Sequence, residues 1–143
     1  MKITDVKAIV LKLPEISSAA DGTQDDLIII VETDEGITGY GEVDTAPYVG
    51  HAVVEAYMSH GTCYGLREVI VGMDPFDYEQ IWNEMWDKTY YYGRSGPVMH
   101  VMSGIDMAIW DIMGKASGKP VHKLLGGSYT DKVRAYASAL MPE

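Results

Sequence analysis

Basic residues are scarce in the sequence. Eleven lysines and arginines stand against 21 aspartates and glutamates, which gives the 143-residue chain a formal net charge of -10 at pH 7. The basic residues form no run, whereas proteins that bind nucleic acid usually carry a basic patch that neutralises phosphates. A nucleic-acid partner is therefore not expected.

Cysteine and long apolar runs are also lacking. Cys63 is the one cysteine, so the chain has neither an internal disulfide nor a CxxC motif for zinc or redox chemistry. No stretch approaches the roughly 20 apolar residues that cross a bilayer. Lys2, Asp5 and Lys7 interrupt the first 13 residues, where a signal peptide would have its apolar core. We therefore expect no membrane association and a cytoplasmic location.

Apolar residues make up 47% of the sequence, which is enough for one globular domain with a buried core. The first part of the chain predicts three β-strands, over residues 3–13, 27–33 and 37–43. Gly36 suits a hairpin loop between the last two, because glycine tolerates positive φ. We predict a three-stranded antiparallel meander, with residues 14–25 as a mobile polar loop between the first two strands.

Helical periodicity follows the strands. A first helix is predicted to bury a face that recurs every three to four residues: Val49, Ala52, Val53, Ala56 and Tyr57. A short second helix is expected around residues 66–70.

Asp74 and Pro75 predict the start of a third helix, with Asp74 as its cap and Pro75 in its first position. Its apolar stripe is expected to contain Tyr78, Ile81, Trp82, Met85 and Trp86. Pro97 opens a long fourth helix, which Gly118 and Pro120 end. Its predicted inner face consists of Val98, Val101, Met102, Ile105, Ala108, Ile109 and Ile112.

The tail of the sequence predicts one more strand, because residues 132–138 alternate apolar and polar side chains. No further strand follows it. Neither an internal repeat nor a low-complexity linker marks a second complete domain. We therefore expect this chain to be part of a larger protein.

Candidate catalytic residues are few. The sequence contains four histidines: His51, His60, His100 and His122. Their spacings match none of the short intervals that place two metal ligands on one helix face. Asp106 and Asp111 share the fourth predicted helix, but five residues turn a helix by about 500°, so the two carboxylates point about 140° apart. Neither a metal site nor a paired acid and base is expected.

Three consecutive tyrosines, residues 90–92, stand beside Arg94 in a glycine-bounded segment. Solvent-facing aromatic rings next to a guanidinium suit a contact with a ligand or with a neighbouring subunit. A purely structural role inside the domain is the alternative.

Two longer motifs carry a family resemblance. Residues 103–115, SGIDMAIWDIMGK, and residues 120–127, PVHKLLGG, closely resemble the signature of the mandelate racemase and muconate lactonizing enzyme family of the enolase superfamily. Residues 2–4, 36–42 and 72–75 also resemble that family, so the similarity covers essentially the whole chain.

The resemblance implies an α+β fold. Residues 1–127 would form an enolase-type N-terminal capping domain, a three-stranded antiparallel meander followed by a helical bundle. Residues 128–143 would begin a (β/α)8 barrel, with its first strand at residues 132–138. In such enzymes a magnesium ion held by three barrel carboxylates stabilises the enediolate that forms when a base removes the proton α to a carboxylate. The resemblance thus implies that this chain alone holds neither Mg²⁺ nor catalytic residues.

Two capping-domain loops of such enzymes close over the barrel mouth, and they correspond here to residues 15–25 and 44–50. Their polar side chains suit a polyhydroxylated substrate, although loop residues are also polar simply because they are solvated. We therefore predict an acid-sugar dehydratase. The predicted substrate-binding residues are Ser18, Asp21, Thr23, Gln24, Thr45, Tyr48 and Arg94.

Other functions stay open at this point. A racemase, epimerase or cycloisomerase of the same family is the first alternative. A stand-alone binding or interaction module without catalysis is an alternative of another class. We expect the C-terminal barrel domain and a small carboxylate substrate as partners, and assembly into a homo-oligomer.

Overall fold

A computed structural model describes residues 1–18 and 24–136 of the chain. The predicted site residues Asp21 and Thr23 lie outside the described residues, as do positions 137 and 138 of the predicted last strand. Three strands form one antiparallel sheet in the order β1-β2-β3. They are β1 (Ile3–Lys12), β2 (Asp25–Thr33) and β3 (Thr38–Val43). The predicted meander is therefore confirmed.

The register of the sheet brings three chain segments to one end of it. Lys12 lies opposite Asp25 on the β1 side, and Leu27 lies opposite Val43 on the β3 side. At the other end Gly36 adopts a φ of 77° in the hairpin turn, as predicted. We name the end formed by Lys12, Asp25 and Val43 the loop end, because both predicted lid segments leave the sheet there.

Five helices follow the sheet. They are α1 (Pro47–Glu55), α2 (Leu66–Ile70), α3 (Tyr78–Lys88), α4 (Pro97–Ser117) and α5 (Val121–Leu124). The predicted inner face of α4 is buried in full, and Gly118 ends this helix in the left-handed conformation. Sheet and helices together form the α+β architecture expected from the family resemblance. In the described part of the chain, no helix has both the length and the apolar content that a bilayer crossing requires.

Two helix predictions were wrong in detail. The helix α1 ends at Glu55 and buries Pro47, Gly50, Val53 and Val54, so the predicted face was misplaced. Tyr57 lies beyond the helix and is 82% exposed. Glycine carries no hydrophobic signal, yet Gly50 faces the core because Leu27 and Val101 leave room for nothing larger there.

The start of α3 also differs from the prediction, because the helix begins at Tyr78 rather than at Pro75. The carboxylate of Asp74 accepts a hydrogen bond from the amide of Phe76 at 3.0 Å. The amide of Asp77 donates to the carbonyl of Asp74 at 2.9 Å, which closes a turn. Asp74 therefore organises a turn that precedes the helix instead of capping the helix itself.

One face of the sheet packs directly on α4. A Cβ atom added to Gly39 would lie 2.1 Å from the carbonyl oxygen of Ala108, and one added to Gly41 would lie 1.9 Å from that of Gly104. The backbones of β3 and α4 are therefore in direct contact. This contact orients the helix, with Gly104 against Val43 at the loop end.

The tail departs from its predicted conformation. Residues 132–136 form no strand, and Val133 and Tyr136 are about nine-tenths exposed. A strand requires a neighbour to satisfy its backbone groups. The described residues provide no such neighbour for this segment.

Candidate functional site

The first lid segment is closed at its base by Gln24. The amide of Leu13 donates to the carbonyl of Gln24 at 2.8 Å, which joins the two ends of the segment. The Gln24 side chain binds the backbone of Ser17 twice, accepting from its amide at 2.8 Å and donating to its carbonyl at 2.7 Å. The Gln24 amide group thus stabilises the loop, a role that the sequence did not indicate. Ser18, next in the segment, is exposed.

The second lid segment is partly helical. Residues 44–50 were expected as a loop, but α1 begins at Pro47 because proline is preorganised for the first helical turn. Tyr48 lies in that first turn with 68% of its surface exposed. Thr45 is half-buried, and its methyl group lies beside the backbone of Gly50.

The geometry therefore brings four predicted residues to the loop end of the sheet: Ser18, Gln24, Thr45 and Tyr48. Ser18 and Gln24 belong to the segment between β1 and β2, whereas Thr45 and Tyr48 follow β3. Within the described residues, none of these four forms a hydrogen bond with Arg94. Together, the two segments offer polar groups at one edge of the domain.

Arg94 occupies the turn between α3 and α4, where it adopts a φ of 79°. Its guanidinium lies 4.2 Å from the ring centroids of both Trp86 and Tyr90. Two cation–π contacts of this kind hold the side chain in place. Its Nη1 atom is buried and has no hydrogen-bond partner among the described residues. The stacking depends on tertiary contacts, so spacing in the sequence did not predict it. The available sequence signal was an arginine close to several aromatic residues.

The tyrosine segment is tied to the domain by its side chains. The hydroxyl of Tyr92 donates to the carbonyl of Tyr64, and the ring of Tyr91 makes an edge contact with His60 at 4.9 Å between centroids. Burial raises the pKa of Tyr92 to about 12, with a smaller contribution from Cys63. These contacts support the structural alternative for Tyr91 and Tyr92.

In the ranges 1–18 and 24–136, no three histidine, cysteine, aspartate or glutamate side chains come close enough to hold a metal ion. The described residues therefore do not fit a magnesium site. The arrangement at the loop end can donate and accept hydrogen bonds.

Comparison with known proteins adds a family context to this geometry. The family model described as mandelate racemase/muconate lactonizing enzyme, N-terminal domain, matches residues 3–126. An L-rhamnonate dehydratase of Saccharopolyspora erythraea is 36% identical over 117 residues, which cover 82% of this chain and 28% of that protein.

Solved structures of other proteins contain a domain with a similar fold. A member of the enolase superfamily from Salmonella Typhimurium is similar with a TM-score of 0.75 and 37% identity, covering 95% of this chain and 32% of that one. The 3,6-anhydro-D-galactonate cycloisomerase from Zobellia galactanivorans has a TM-score of 0.74 and 28% identity, covering 89% and 32%. The chain spans 27–28% of the length of the curated relatives it matches. Most of each relative therefore lies outside the match.

Proposed function

Because the chain belongs to the mandelate racemase and muconate lactonizing enzyme family, we propose that it is the substrate-facing capping domain of an acid-sugar dehydratase. Residues 1–127 would form the cap, and residues 128–143 would begin the barrel domain. The similarity to an L-rhamnonate dehydratase carries this proposal. The polar groups gathered at the loop end support it, since hydroxyl-rich acids require hydrogen-bond partners.

The reaction would be proton abstraction α to a carboxylate, followed by loss of a hydroxyl group as water. Magnesium, bound outside the described residues, would supply the charge that stabilises the enediolate. The cap would close the site against water and hydrogen-bond the substrate hydroxyls through Ser18, Thr45 and Tyr48. Asp21 and Thr23 belong to the same proposed surface. By itself the chain would neither bind magnesium tightly nor turn over substrate.

Arg94 is a separate candidate for substrate contact. Its buried Nη1 atom retains a donor that no described residue uses. The rings of Trp86 and Tyr90 fix the guanidinium plane, which favours binding of a carboxylate. Gln24 is the weaker candidate, because its amide group already binds the Ser17 backbone.

A domain exchange tests the proposal. Residues 1–127 would replace the matching part of the Saccharopolyspora L-rhamnonate dehydratase, and the purified chimera would be incubated with Mg²⁺ and a panel of sugar acids. Mass spectrometry distinguishes dehydration, which yields a product lighter by one water, from isomerisation, which leaves the mass unchanged. Because the barrel would carry the catalytic residues, the chimera tests the cap: we expect magnesium-dependent dehydration of at least one sugar acid, and a folded chimera without that activity would contradict the capping role.

A loop exchange controls for poor domain fit. Only residues 15–25 and 44–50 would be transferred into the dehydratase, with the rest of its own cap retained. A folded loop variant is expected to keep magnesium-dependent dehydration and to change its order of preference among sugar acids. An unchanged preference would contradict the assignment of these segments to substrate recognition.

Isomerisation within the same family is the second candidate function. The similarity to the Zobellia cycloisomerase favours it. A product of unchanged mass, formed from a sugar acid by the complete protein with its own barrel, would favour a racemase, epimerase or cycloisomerase.

A stand-alone binding module is the alternative of another class. Such a module would bind a sugar acid in EDTA, whereas a capping domain is expected to show no binding without its barrel. Nuclear magnetic resonance titration of the 143-residue chain decides between them.

Sedimentation of the same sample tests the proposed homo-oligomer. The outer sheet face, with Ile9, Leu11 and Tyr40 about half exposed, suits such a contact.

A further inference from the structure

The face of the sheet that is turned away from α4 carries a patch of apolar side chains. Side chains alternate between the two faces of a strand, and the residues on the α4 side are buried, as Leu27, Ile29 and Val31 show. Five apolar side chains point the other way from three adjacent strands. We name them the outer patch: Ile9, Leu11, Ile28, Ile30 and Tyr40.

The strand register makes the outer patch continuous. Ile9 lies opposite Ile28 across β1 and β2, and Ile30 lies opposite Tyr40 across β2 and β3. Side chains in such pairs stand about 5 Å apart on one face. Ile9, Leu11 and Tyr40 are 40%, 49% and 54% exposed. A continuous apolar surface of this kind marks a contact with another molecule, whereas scattered exposed apolar residues do not.

Both edges of the sheet are partly occupied by the chain itself. At β3, the side chains of Asp111 and Lys115 bind the edge backbone. At β1, the amide and carbonyl of Ile3 bond to the backbone of residues 72–73. A partner that extended the sheet would compete with these bonds, whereas a partner that packs on the face would not. The outer patch therefore favours a face-to-face contact.

The basic residues beside the outer patch already pair with carboxylates. Lys7 binds Glu32, and Lys115, which lies over the Tyr40 ring, binds Asp111 at 2.6 Å. The protein as a whole carries a net charge of -10, so two copies repel each other over most orientations. They approach each other most easily where the charges are balanced, as they are at these two points.

Lys7 and Glu42 give the two sides of the outer patch opposite signs. Lys7 lies opposite Ile30 and Glu42 lies opposite Ile28, so the two charges stand in adjacent rows on either side of β2. A two-fold axis parallel to β2 places the β1 side of one copy over the β3 side of its partner. Each Lys7 then faces the partner's Glu42. Lys7 is 43% exposed and has donors left after binding one carboxylate, because an ammonium group carries three.

From this complementarity we propose that the outer patch binds a second copy of this chain, face to face, in a two-fold symmetric dimer. The inference rests on the proposed function, which places the barrel at the loop end and leaves the outer patch for another molecule. Stacked sheets lie about 10 Å apart, so the apolar side chains of the two copies interdigitate. Two pairs between Lys7 and Glu42 fix the register of the dimer.

Sedimentation equilibrium of the 143-residue chain tests the dimer, and we expect reversible association of two copies. Ile9→Glu would place a carboxylate against the partner's Glu42. Glu42→Lys would place an ammonium group against the partner's Lys7. Each single change is expected to raise the dissociation constant of the dimer about tenfold. Far-ultraviolet circular dichroism establishes that each variant is folded.

The double variant, Ile9→Glu with Glu42→Lys, separates a specific contact from a general loss of stability. Its two introduced charges attract each other across the proposed interface, so we expect its dimer to be tighter than that of either single variant. Tyr91→Glu is the matched control, because it introduces the same charge at a position that is 75% exposed and lies outside the outer patch. Its dissociation constant should equal that of the wild type.

A wild-type chain that stays monomeric at millimolar concentration would overturn the proposal. Equal dissociation constants for the wild type and Ile9→Glu would also overturn it. Loss of the dimer in Tyr91→Glu alone would assign the contact to the tyrosine segment instead. The loop exchange measures substrate preference without the outer patch of this chain, so the dimer and the proposed function can each fail without the other.

Discussion

The carboxylate of Asp111 accepts a hydrogen bond from the backbone amide of Tyr40, with 3.0 Å between Oδ2 and N. Lys115 donates to the same Oδ2 at 2.6 Å and to the carbonyl of Thr38 at 2.7 Å. Because β3 is the edge of the sheet, these backbone groups have no neighbouring strand. Asp111 and Lys115, both part of the family signature, therefore satisfy backbone groups at the edge of β3.

The edge contact yields the first prediction. Asp111→Ala removes the acceptor for the Tyr40 amide and leaves Lys115 unpaired, so we expect a loss of about 1 kcal/mol in the free energy of unfolding. Urea denaturation measures it. Lys119→Met is the control, since the exposed Lys119 side chain makes no ion pair in the described part of the chain. Equal destabilisation by the two changes would contradict the assigned role.

Contact between β3 and α4 yields the second prediction. In Gly41→Ala the new methyl group would lie 1.9 Å from the carbonyl oxygen of Gly104, so strand and helix must separate. We expect a destabilisation of about 3 kcal/mol in urea. Gly61→Ala is the matched change, because no atom lies within 4 Å of the added Cβ. That variant should unfold within about 0.5 kcal/mol of the wild type.

The third prediction concerns Tyr92, whose ionisation is expected to destabilise the protein at alkaline pH. Burial raises its folded-state pKa to about 12, above the ordinary value of 10.0, so the unfolded chain releases the proton first. Stability contributed by Tyr92 is therefore present below pH 10 and is lost as the pH rises towards 12. Thermal unfolding of wild type and Tyr92→Phe across this range measures the difference. The variant is expected to decline less steeply, and parallel curves would contradict the raised pKa of Tyr92.

The fourth prediction concerns Asp106, for which we expect a dependence of the same sign at acidic pH. Burial raises its folded-state pKa above the ordinary 3.8, so the folded chain retains the proton while the unfolded chain releases it. The wild type therefore gains stability as the pH falls through the folded-state pKa. We expect Asp106→Asn to be more stable relative to the wild type at about pH 7 than at about pH 4.

Urea midpoints at the two pH values measure this difference. Asp87→Asn, at an exposed position of α3, corrects for the removal of one negative charge. A relative stability of Asp106→Asn that does not change between the two pH values would show that Asp106 is not affected by burial.

The sequence predicted the helices and strands with strong periodicity. The inner face of α4 was predicted residue by residue, because apolar side chains recur every three to four positions over 21 residues. The predicted face of α1 failed, because Gly50 and Pro47 carry no such signal yet face the core. Helix starts were also uncertain, since Asp74 closes a turn as readily as it caps a helix.

The candidate site was predictable only in part. Polar composition and motif resemblance indicated the lid segments, and the register of β1, β2 and β3 brought both to one end of the sheet. Neither the hydrogen bonds of Gln24 to Ser17 nor the stacking of Arg94 on Trp86 followed from spacing. Such contacts depend on how chain segments meet.

Sequence alone determined the meander, the long apolar helix and the family signature of this protein. These depend on periodicity and on short motifs, which act over a few neighbouring residues. Tertiary structure alone decided that Asp111 and Lys115 complete the edge of β3, 71 and 77 residues away in the chain. It also decided that α3 and α4 enclose an aromatic and acidic groove. The physical reason is that hydrogen bonding and cation–π attraction act over a few ångströms in space, whatever the separation along the chain.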